Sequence, residues 1–416
     1  MPSARYAAVG LVVLWLSGVA LGQGRGDPER LALGLDLGLA SVSGHLAWTD
    51  GNAGKLRRFN GDLPVRAFAQ LRQPLGDTLS LVAAAEFGND GTSRETGLTQ
   101  LFLRWRPVPR SRVRHRLTVG AFYPRISLEH SQVGWSSKYS LNPSAIGAGV
   151  GEELRTVGAE WQLSTRVSAL GGEGVVSLAP SVFVNNDPTG ALIAWRGWSI
   201  HDRQSTLFDR LPLAPLPLTQ PGERFDRQAP YHAPFREVDG RPGVSLAADY
   251  KRGASLWRAG YFDNRAQPEA IERGQYGWRT RLHHVGVRQR LLGKFELLAQ
   301  WLRGSTRMGS RIDGQRRAVD AKFASQYIQL SRVTAQQTLT ARIERFRVVD
   351  RDALMEDDNN ERGHGLTLAY RWSFTPHTHL AAEWLRIRTE RPGWAFTGLA
   401  RQRNESQLQL RVQLRY

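Results

Sequence analysis

The sequence predicts an all-β chain, a transmembrane antiparallel up-and-down β-barrel of about sixteen strands. Three observations lead there. Apolar and polar residues alternate through most of the chain beyond its N-terminal segment. The links between these alternating stretches are short and long in turn. The chain also ends on SQLQLRVQLRY, in which Leu408, Leu410, Val412, Leu414 and Tyr416 occupy every second position.

The 416-residue chain opens with one basic residue, Arg5, then an apolar run over 7–16, then Ala20 and Gly22. Those two small residues stand at the −3 and −1 positions of a cleavage site before Gln23. This is the pattern of a secretory signal peptide, and the run is shorter than the ~20 residues a spanning helix needs. The expected organisation is therefore a leader at 1–22 and a single barrel at 23–416. No later stretch approaches ~20 continuous apolar residues, which excludes a transmembrane helix. The absence of cysteine excludes a disulfide-stapled scaffold and a lipid anchor.

The first strand signal is Leu31, Leu33, Leu35, Leu37 and Leu39 alternating with small or polar residues, a period of two that overrules the helical preference of leucine. The same period recurs with Val65, Ala67, Ala69 and Leu71, with Leu79, Leu81, Ala83 and Ala85, and with Leu101, Leu103 and Trp105. It continues with Val157, Ala159, Trp161 and Leu163, with Leu297, Ala299 and Trp301, and with Leu366, Leu368, Tyr370 and Trp372. No long helical pattern stands out after the leader. Short links fall at 74–77, 108–112, 167–173, 252–253, 291–293, 333–336 and 375–377. Longer polar links fall near 50–62, 88–95, 125–151, 186–242, 264–276, 305–316, 350–362 and 390–402. Strict alternation gathers all short turns at one end of the sheet, with both termini there. So many strands left open would expose two long edges, so closure is expected, and a barrel of this width leaves a lumen. Trp48, Trp105, Tyr123, Trp301, Tyr370, Trp372 and Tyr416 lie near strand ends, where interfacial aromatic girdles sit.

These features resemble the general porins of Gram-negative outer membranes. In that class the last strand ends in an aromatic preceded by alternating apolar residues, which the barrel-assembly machinery recognises. Leu408, Leu410, Val412, Leu414 and Tyr416 match that signal. The resemblance implies an outer-membrane location, contact with outer-membrane lipid and lipopolysaccharide, and a water-filled channel. Many general porins are homotrimers; the sequence leaves open whether this one is. GAFYPRISLEH (120–130) is also similar to the strand-to-loop region of phosphate-selective porins, with its Gly-aromatic-Pro-Ser-Leu-Glu arrangement. The lysine-rich specificity loop of that family is missing, Lys138 being the only lysine in the link that follows.

The charge balance bears on what would pass. Lys+Arg number 56 against 38 Asp+Glu, and only Lys55, Lys138, Lys251, Lys294 and Lys322 are lysine. An exported chain rarely meets nucleic acid, so small anionic solutes or an anionic lipid surface are the expected partners. Alternation sends Arg66, Arg72, Arg104, Arg106, Arg114, Arg116, Arg342, Arg371, Arg411 and Arg415 into the lumen. Arg279 and Arg281 are assigned there too, on a segment (278–287) that fits either register. An arginine facing lipid at the midplane costs roughly 2–4 kcal/mol, which favours the inward choice. Inward acids are fewer: Asp36, Glu86, Glu160, Glu296 and Glu344. Guanidinium in excess over carboxylate concentrates anions. Many of these arginines could instead sit at the rims, paired with lipopolysaccharide phosphates or with neighbouring acids.

In sixteen-stranded porins the third outer loop folds into the lumen and narrows it. The resemblance therefore makes Arg125, Glu129, His130 and Lys138, in the link at 125–151, candidates for the constriction; a plain surface loop is the alternative. The link at 186–242 contains LPLAPLPLTQP (211–221), whose prolines remove ladder donors and keep it out of the sheet. It could plug the mouth, meet a neighbouring subunit, carry a binding surface, or hang loose.

Other motifs carry little. GAGVG (147–151) lacks the surrounding βαβ unit of a nucleotide loop. DRDALMEDDNNE (350–361) lacks the glycine and spacing of an EF-hand. His283-His284 and His377-Thr-His379 have no identifiable ligand partners, and no GxSxG nucleophile motif is present. No catalytic residue, cofactor or metal site is assigned. The expected function is a porin for passive diffusion of small hydrophilic, anionic solutes, and not an enzyme. The rival is a barrel with a plugged lumen that binds surface polysaccharide or acts as an adhesin.

Overall fold

A computed structural model describes residues 30–57, 63–89, 94–169, 172–312, 314, 316–352 and 354–416. The expected leader lies outside the described residues. Sixteen strands form the wall, numbered in chain order. The first seven are β1 (Leu31–Ser43), β2 (Val65–Pro74), β3 (Leu79–Asn89), β4 (Arg94–Trp105), β5 (Arg114–Phe122), β6 (Thr156–Ala169) and β7 (Gly172–Val184). Next come β8 (Gly243–Arg252), β9 (Ser255–Asp263), β10 (Arg279–Leu291), β11 (Phe295–Arg311) and β12 (Arg317–Val333). The last four are β13 (Gln337–Asp350), β14 (Glu361–Ser373), β15 (Thr378–Glu390) and β16 (Gln402–Arg415). Each pairs antiparallel with its neighbours in sequence, and β16 returns to β1 to close the barrel.

Closure depends on the end of the chain. Leu33 donates its N–H to the Tyr416 carbonyl at 2.7 Å, and Tyr416 donates back to Leu33 at 2.9 Å. The Tyr416 ring stacks on His377, in the short turn before β15, with centroids 5.4 Å apart. Leu408, Leu410 and Val412 are exposed on the outer face, while Gln407, Gln409, Arg411 and Gln413 between them are buried inside. On β14, Leu366, Leu368, Tyr370 and Trp372 are likewise exposed, and Thr367 and Ala369 are buried. Water-exposed apolar residues in such rows would be untenable on a soluble protein; against lipid they form the belt a membrane barrel needs.

The expected aromatic girdle holds for Trp105, Trp301, Tyr370, Trp372 and Tyr416, all exposed. It does not hold for Trp48 and Tyr123, both buried. Trp48 lies in the first long link, under the Arg196 guanidinium at 4.2 Å from the ring centroid. Tyr123 leaves β5 as the chain turns into the lumen and stacks on Trp135, with centroids 3.6 Å apart.

Among the described residues, the third and fourth long links run deep into the barrel, and Lys55 and Leu56 of the first are buried beside them. The third carries a nine-residue helix, α1 (Ala145–Glu153), on the segment that includes GAGVG. Ser144 caps it, its hydroxyl accepting from the Gly147 N–H at 3.2 Å. Three glycines in nine residues weaken helical propensity, which hid α1 from a reading of periodicity. The fourth link carries α2 (Ala191–Trp195), and nearly every residue from 186 to 206 is buried. Ile126, Tyr139, Ile146, Val150, Trp198 and Ile200 from these links pack against inward Phe183, Phe262, Leu302, Phe323 and Phe346. The lumen thus holds an apolar core of its own. The proline-rich run stays out of the wall as expected, yet Leu211–Pro212 pairs with Tyr231–His232 in a small ladder within the link.

Gly38 makes this arrangement possible at the seam. A Cβ there would lie 2.1 Å from the Leu410 carbonyl and 2.7 Å from Arg411 Cγ. Gly38→Val should therefore destabilise the closed barrel by roughly 1–3 kcal/mol through overpacking. The check is a lower temperature for conversion of the compact, fast-migrating form to the unfolded form in detergent gels.

Candidate pore lumen and its infolded loops

The lumen wall divides into two zones. On β11 to β16 the inward polar residues are covered by the entering links. Arg342 on β13 is fully buried. Its Nε donates to Glu344 at 3.0 Å and its Nη1 to Glu129 at 3.1 Å, with further bonds to the Asn142 and Pro143 carbonyls. Glu344 accepts from the Ala145 N–H at 2.7 Å. Glu383 on β15 accepts from the Leu141 N–H at 2.6 Å and from Asn142 Nδ2 at 2.8 Å. Glu296 on β11 accepts from the Tyr139 hydroxyl at 2.5 Å and from Lys138 at 3.0 Å. Four wall side chains from three separate strands therefore clamp residues 129–145 across the bore.

The fourth link is held in the same way. Asp202 meets Arg411 at 2.7 Å and Arg57 at 3.5 Å. Glu361, first residue of β14, accepts from the Trp198 N–H at 2.8 Å and pairs with Lys55 at 2.5 Å. Burial still pulls the Lys55 ammonium down to about 8, against the pull of Glu361. Glu153, last residue of α1, accepts the N–H groups of Gly190 and Leu192 at the start of α2. Burial pushes its carboxyl up to about 7, with Arg196 acting in the opposite direction. Glu152 gathers Arg196 at 2.8 Å and Arg203 at 3.3 Å. The two links are thus joined to each other as well as to the wall.

The second zone is the short-turn mouth, where arginine dominates. Arg72 on β2, Arg104 on β4 and Arg114 and Arg116 on β5 stand at inward positions and are half-buried or exposed, and exposed Arg106 follows directly after β4. The Arg104 guanidinium lies 4.9 Å from the Phe102 ring centroid. Arg371 and Arg415 complete the mouth on β14 and β16, with Arg415 paired to Asp36 at 2.5 Å. Above Arg116, Glu160 takes Arg125 at 3.0 Å, and Asp249 takes Arg258 at 2.7 Å.

The expected lumen residues therefore separate. Arg104, Arg106, Arg114, Arg116 and Arg371 stand together at one mouth. Arg66 faces inward but is buried, bidentate to Glu86 at 2.7 and 2.8 Å. Arg342 and Arg411 also face inward and serve as anchors for the infolded links. Arg279 and Arg281 are corrected: they occupy outward positions. Leu282 and His284 on the same strand are buried on the lumen side, which fixes the parity. The cost of an outward arginine falls to roughly 0–1 kcal/mol near the interface, and Arg279 lies there beside Asp263 at 3.6 Å. Of the constriction candidates, Arg125 holds Glu160 and Lys138 holds Glu296. Glu129 is buried against Arg342 and Ser144. His130 stacks on Trp135 at 4.6 Å, its Nδ1 bonded to the Ser127 hydroxyl, and burial lowers its pKa to about 3. Glu383, Asp202 and Lys55 were not foreseen; an acid at inward parity in the apolar LAAEW run was the one signal for Glu383. Asp187, Glu237 and Asp239 bring carboxylate oxygens within 4.8 Å of one another, but those oxygens accept backbone N–H groups of Val238, Gly240 and Gln267, which accounts for the grouping.

No protein-family model matches the sequence, and no curated protein matches it. Solved structures do resemble it in shape. A loop L8 deletion mutant of OmpT, an outer membrane protein of Vibrio cholerae, aligns over 93% of this chain and 98% of its own, with TM-score 0.51 and 9% identity. An anion-selective porin from Comamonas acidovorans aligns over 93% and 98%, with TM-score 0.49 and 11% identity. The outer membrane channel DcaP of Acinetobacter baumannii aligns over 93% and 95%, with TM-score 0.49 and 9% identity. At these identities the likeness is one of fold. A closed barrel of sixteen antiparallel strands with an outward apolar belt is the architecture of a porin-like barrel integral to the outer membrane.

Removing the Arg342 guanidinium would leave Glu129 and Glu344 buried without their cation. Breaking such a pair costs roughly 3–5 kcal/mol. Arg342→Ala should therefore unseat residues 126–154 while the wall stays closed. Limited proteolysis of the folded protein should then cut within that stretch, where the parent chain resists.

Proposed function

We propose that this barrel is a channel for passive diffusion of small hydrophilic anions, with its bore narrowed by the third and fourth links. The observation that carries the reading is the mouth formed by Arg72, Arg104, Arg106, Arg114, Arg116, Arg371 and Arg415. Its nearby acids are already engaged: Asp36 by Arg415 and Glu160 by Arg125. Such a mouth raises the local anion concentration and repels cations, and guanidinium can pair bidentately with phosphate or carboxylate. Further in, Arg66 is paired with Glu86, Arg342 with Glu129 and Glu344, and Arg411 with Asp202. Selectivity would therefore be set at entry, and the size limit by the clamped links. No catalytic residue, cofactor or metal enters this reading.

A second reading is favoured by the apolar packing in the lumen. With Ile146, Trp198, Phe323 and Phe346 in contact at mid-height, the links would serve as a plug. The outer loops would then carry the function, as a surface polysaccharide-binding or adhesive protein.

The folded protein in a planar bilayer distinguishes the two. The channel reading predicts stable conductance steps and, in a salt gradient, a reversal potential displaced toward that of the anion. Arg104→Glu with Arg106→Glu should move the reversal potential toward the cation. Silent bilayers support the plug; conductance with cation preference contradicts the role given to the arginine mouth.

A further inference from the structure

Four of the long links meet at the outer end of the barrel around a cavity of about 330 Å³. The first link, the fourth with α2 and its proline-rich run, and the links at 350–362 and 390–402 all contribute to its lining. Exposed Pro215, Glu356 and Phe396 mark where it opens to water. Prolines keep the 211–221 run out of the wall, which leaves its leucines to line this space. Leu213, Leu216 and Leu218 pack with Trp195 and Phe225 to give the cavity an apolar body.

The polar groups are divided between two sides. On the first, Trp48 packs with Leu192, Leu211 and Leu213 and is 2% exposed. Its indole Nε1–H makes no hydrogen bond among the described residues. The Arg196 guanidinium lies 4.2 Å from that ring and bonds Glu152 through Nη1, while its Nε finds no acceptor among the described residues. Buried donors are nearly always bonded, so two together on one cavity wall mark the place of an acceptor from outside the chain. The second side is the Met355–Asp357 turn, which packs against Pro217–Thr219 and Pro392–Thr397. Glu356, Asp357 and Asp358 line the cavity there. Arg391 also lines it, but its guanidinium is bonded to the Ala194 and Trp195 carbonyls at 2.6 and 3.2 Å and not to these acids.

We propose that this cavity is a binding site for a zwitterion with an apolar body, the class of apolar α-amino acids and dipeptides. The ligand carboxylate takes the Trp48 and Arg196 N–H groups, its ammonium meets the carboxylates of 356–358, and its side chains pack on the leucines of the proline-rich run. A simple anion would be repelled by the three acids, and a simple cation by Arg196. Trp48, Trp195 and Trp394 are each no more than 5% exposed, so none offers an open face to a sugar ring. The volume falls at the lower end of ligand clefts, which begin at roughly 300 Å³. The cavity lies among the outer links, at the other end from the arginine mouth, so it stands whether the lumen conducts or is plugged.

The test is isothermal titration calorimetry on the full folded protein in detergent. L-leucine and L-leucyl-L-leucine are each compared with their N-acetyl and C-terminal amide forms, and with glycylglycine and maltose. At least one of the two zwitterions should bind roughly ten-fold or more tightly than its capped forms, the scale of one hydrogen bond to a charged group. Trp48→Phe keeps the ring and removes the N–H, so it should narrow the preference over the amide. Glu356→Gln with Asp358→Asn should narrow the preference over the N-acetyl form. Both preferences are ratios within one sample, so a partly unfolded variant still reports them. Capped forms that bind as tightly as the zwitterion overturn the proposal, as does either preference left unchanged by its substitution. Glycylglycine or maltose binding as tightly, or no binding of either zwitterion, overturns it too.

Discussion

A backbone N–H facing hydrocarbon has no water to bond with, and leaving it unpaired costs several kcal/mol. That constraint shapes the whole molecule. It requires the sheet to close, so the final strand must find the first, and the Leu33–Tyr416 bonds at the seam meet that need. Closure in turn gives every strand one face toward lipid and one toward the lumen, and so the alternation of the sequence becomes a division of chemistry. Leucine, valine and aromatic residues take the lipid side. Glutamine, threonine, arginine and glutamate take the other side, free to hold whatever enters the bore.

What enters is the chain itself. A sixteen-stranded wall encloses more space than its side chains can fill, and the third and fourth links occupy much of it. Their packing is apolar at the centre, but their position is fixed by charge. Arg342, Glu344, Glu383 and Glu296 bind the third link, while Arg411 and Glu361 bind the fourth. Buried pairs of this kind add little net stability compared with apolar packing, but losing one partner is expensive. They therefore specify where the links sit more than they hold the barrel together. Under the proposed channel reading, the arginines gathered at one mouth supply the charge that a passing anion would meet.

The wall was legible in the sequence because its signal is local. Leucine at every second position from Leu31 to Leu39, or aliphatic residues from Leu408 to Leu414, declares a face without reference to anything distant. The trajectory of the links was not legible, because their partners lie far away in the chain: Asn142 bonds Glu383 and Gln407, and Glu129 bonds Arg342. Nothing in LNPSAIGAGVGEE announces a wall two hundred residues later, and its glycines obscure the helix. Parity itself failed at one place. Over 278–287 apolar residues stand on both faces, Leu282 inside and Val285 outside, so Arg279 and Arg281 could not be assigned without the pairing of β10 to its neighbours.

The central claim is that the third link, clamped to the wall by charge, sets the bore. Asn142 Nδ2 and Gln407 Oε1 are 2.9 Å apart, so Asn142→Cys and Gln407→Cys can be bridged by a short bis(methanethiosulfonate) reagent, through reducible disulfides, in a chain that has no cysteine of its own. The direct measurement is single-channel conductance of this cross-linked pair combined with Arg342→Ala, before and after a reductant. The account predicts a small, parent-like conductance when cross-linked and a larger one once the bridge is reduced. Identical conductance in the two states would contradict it.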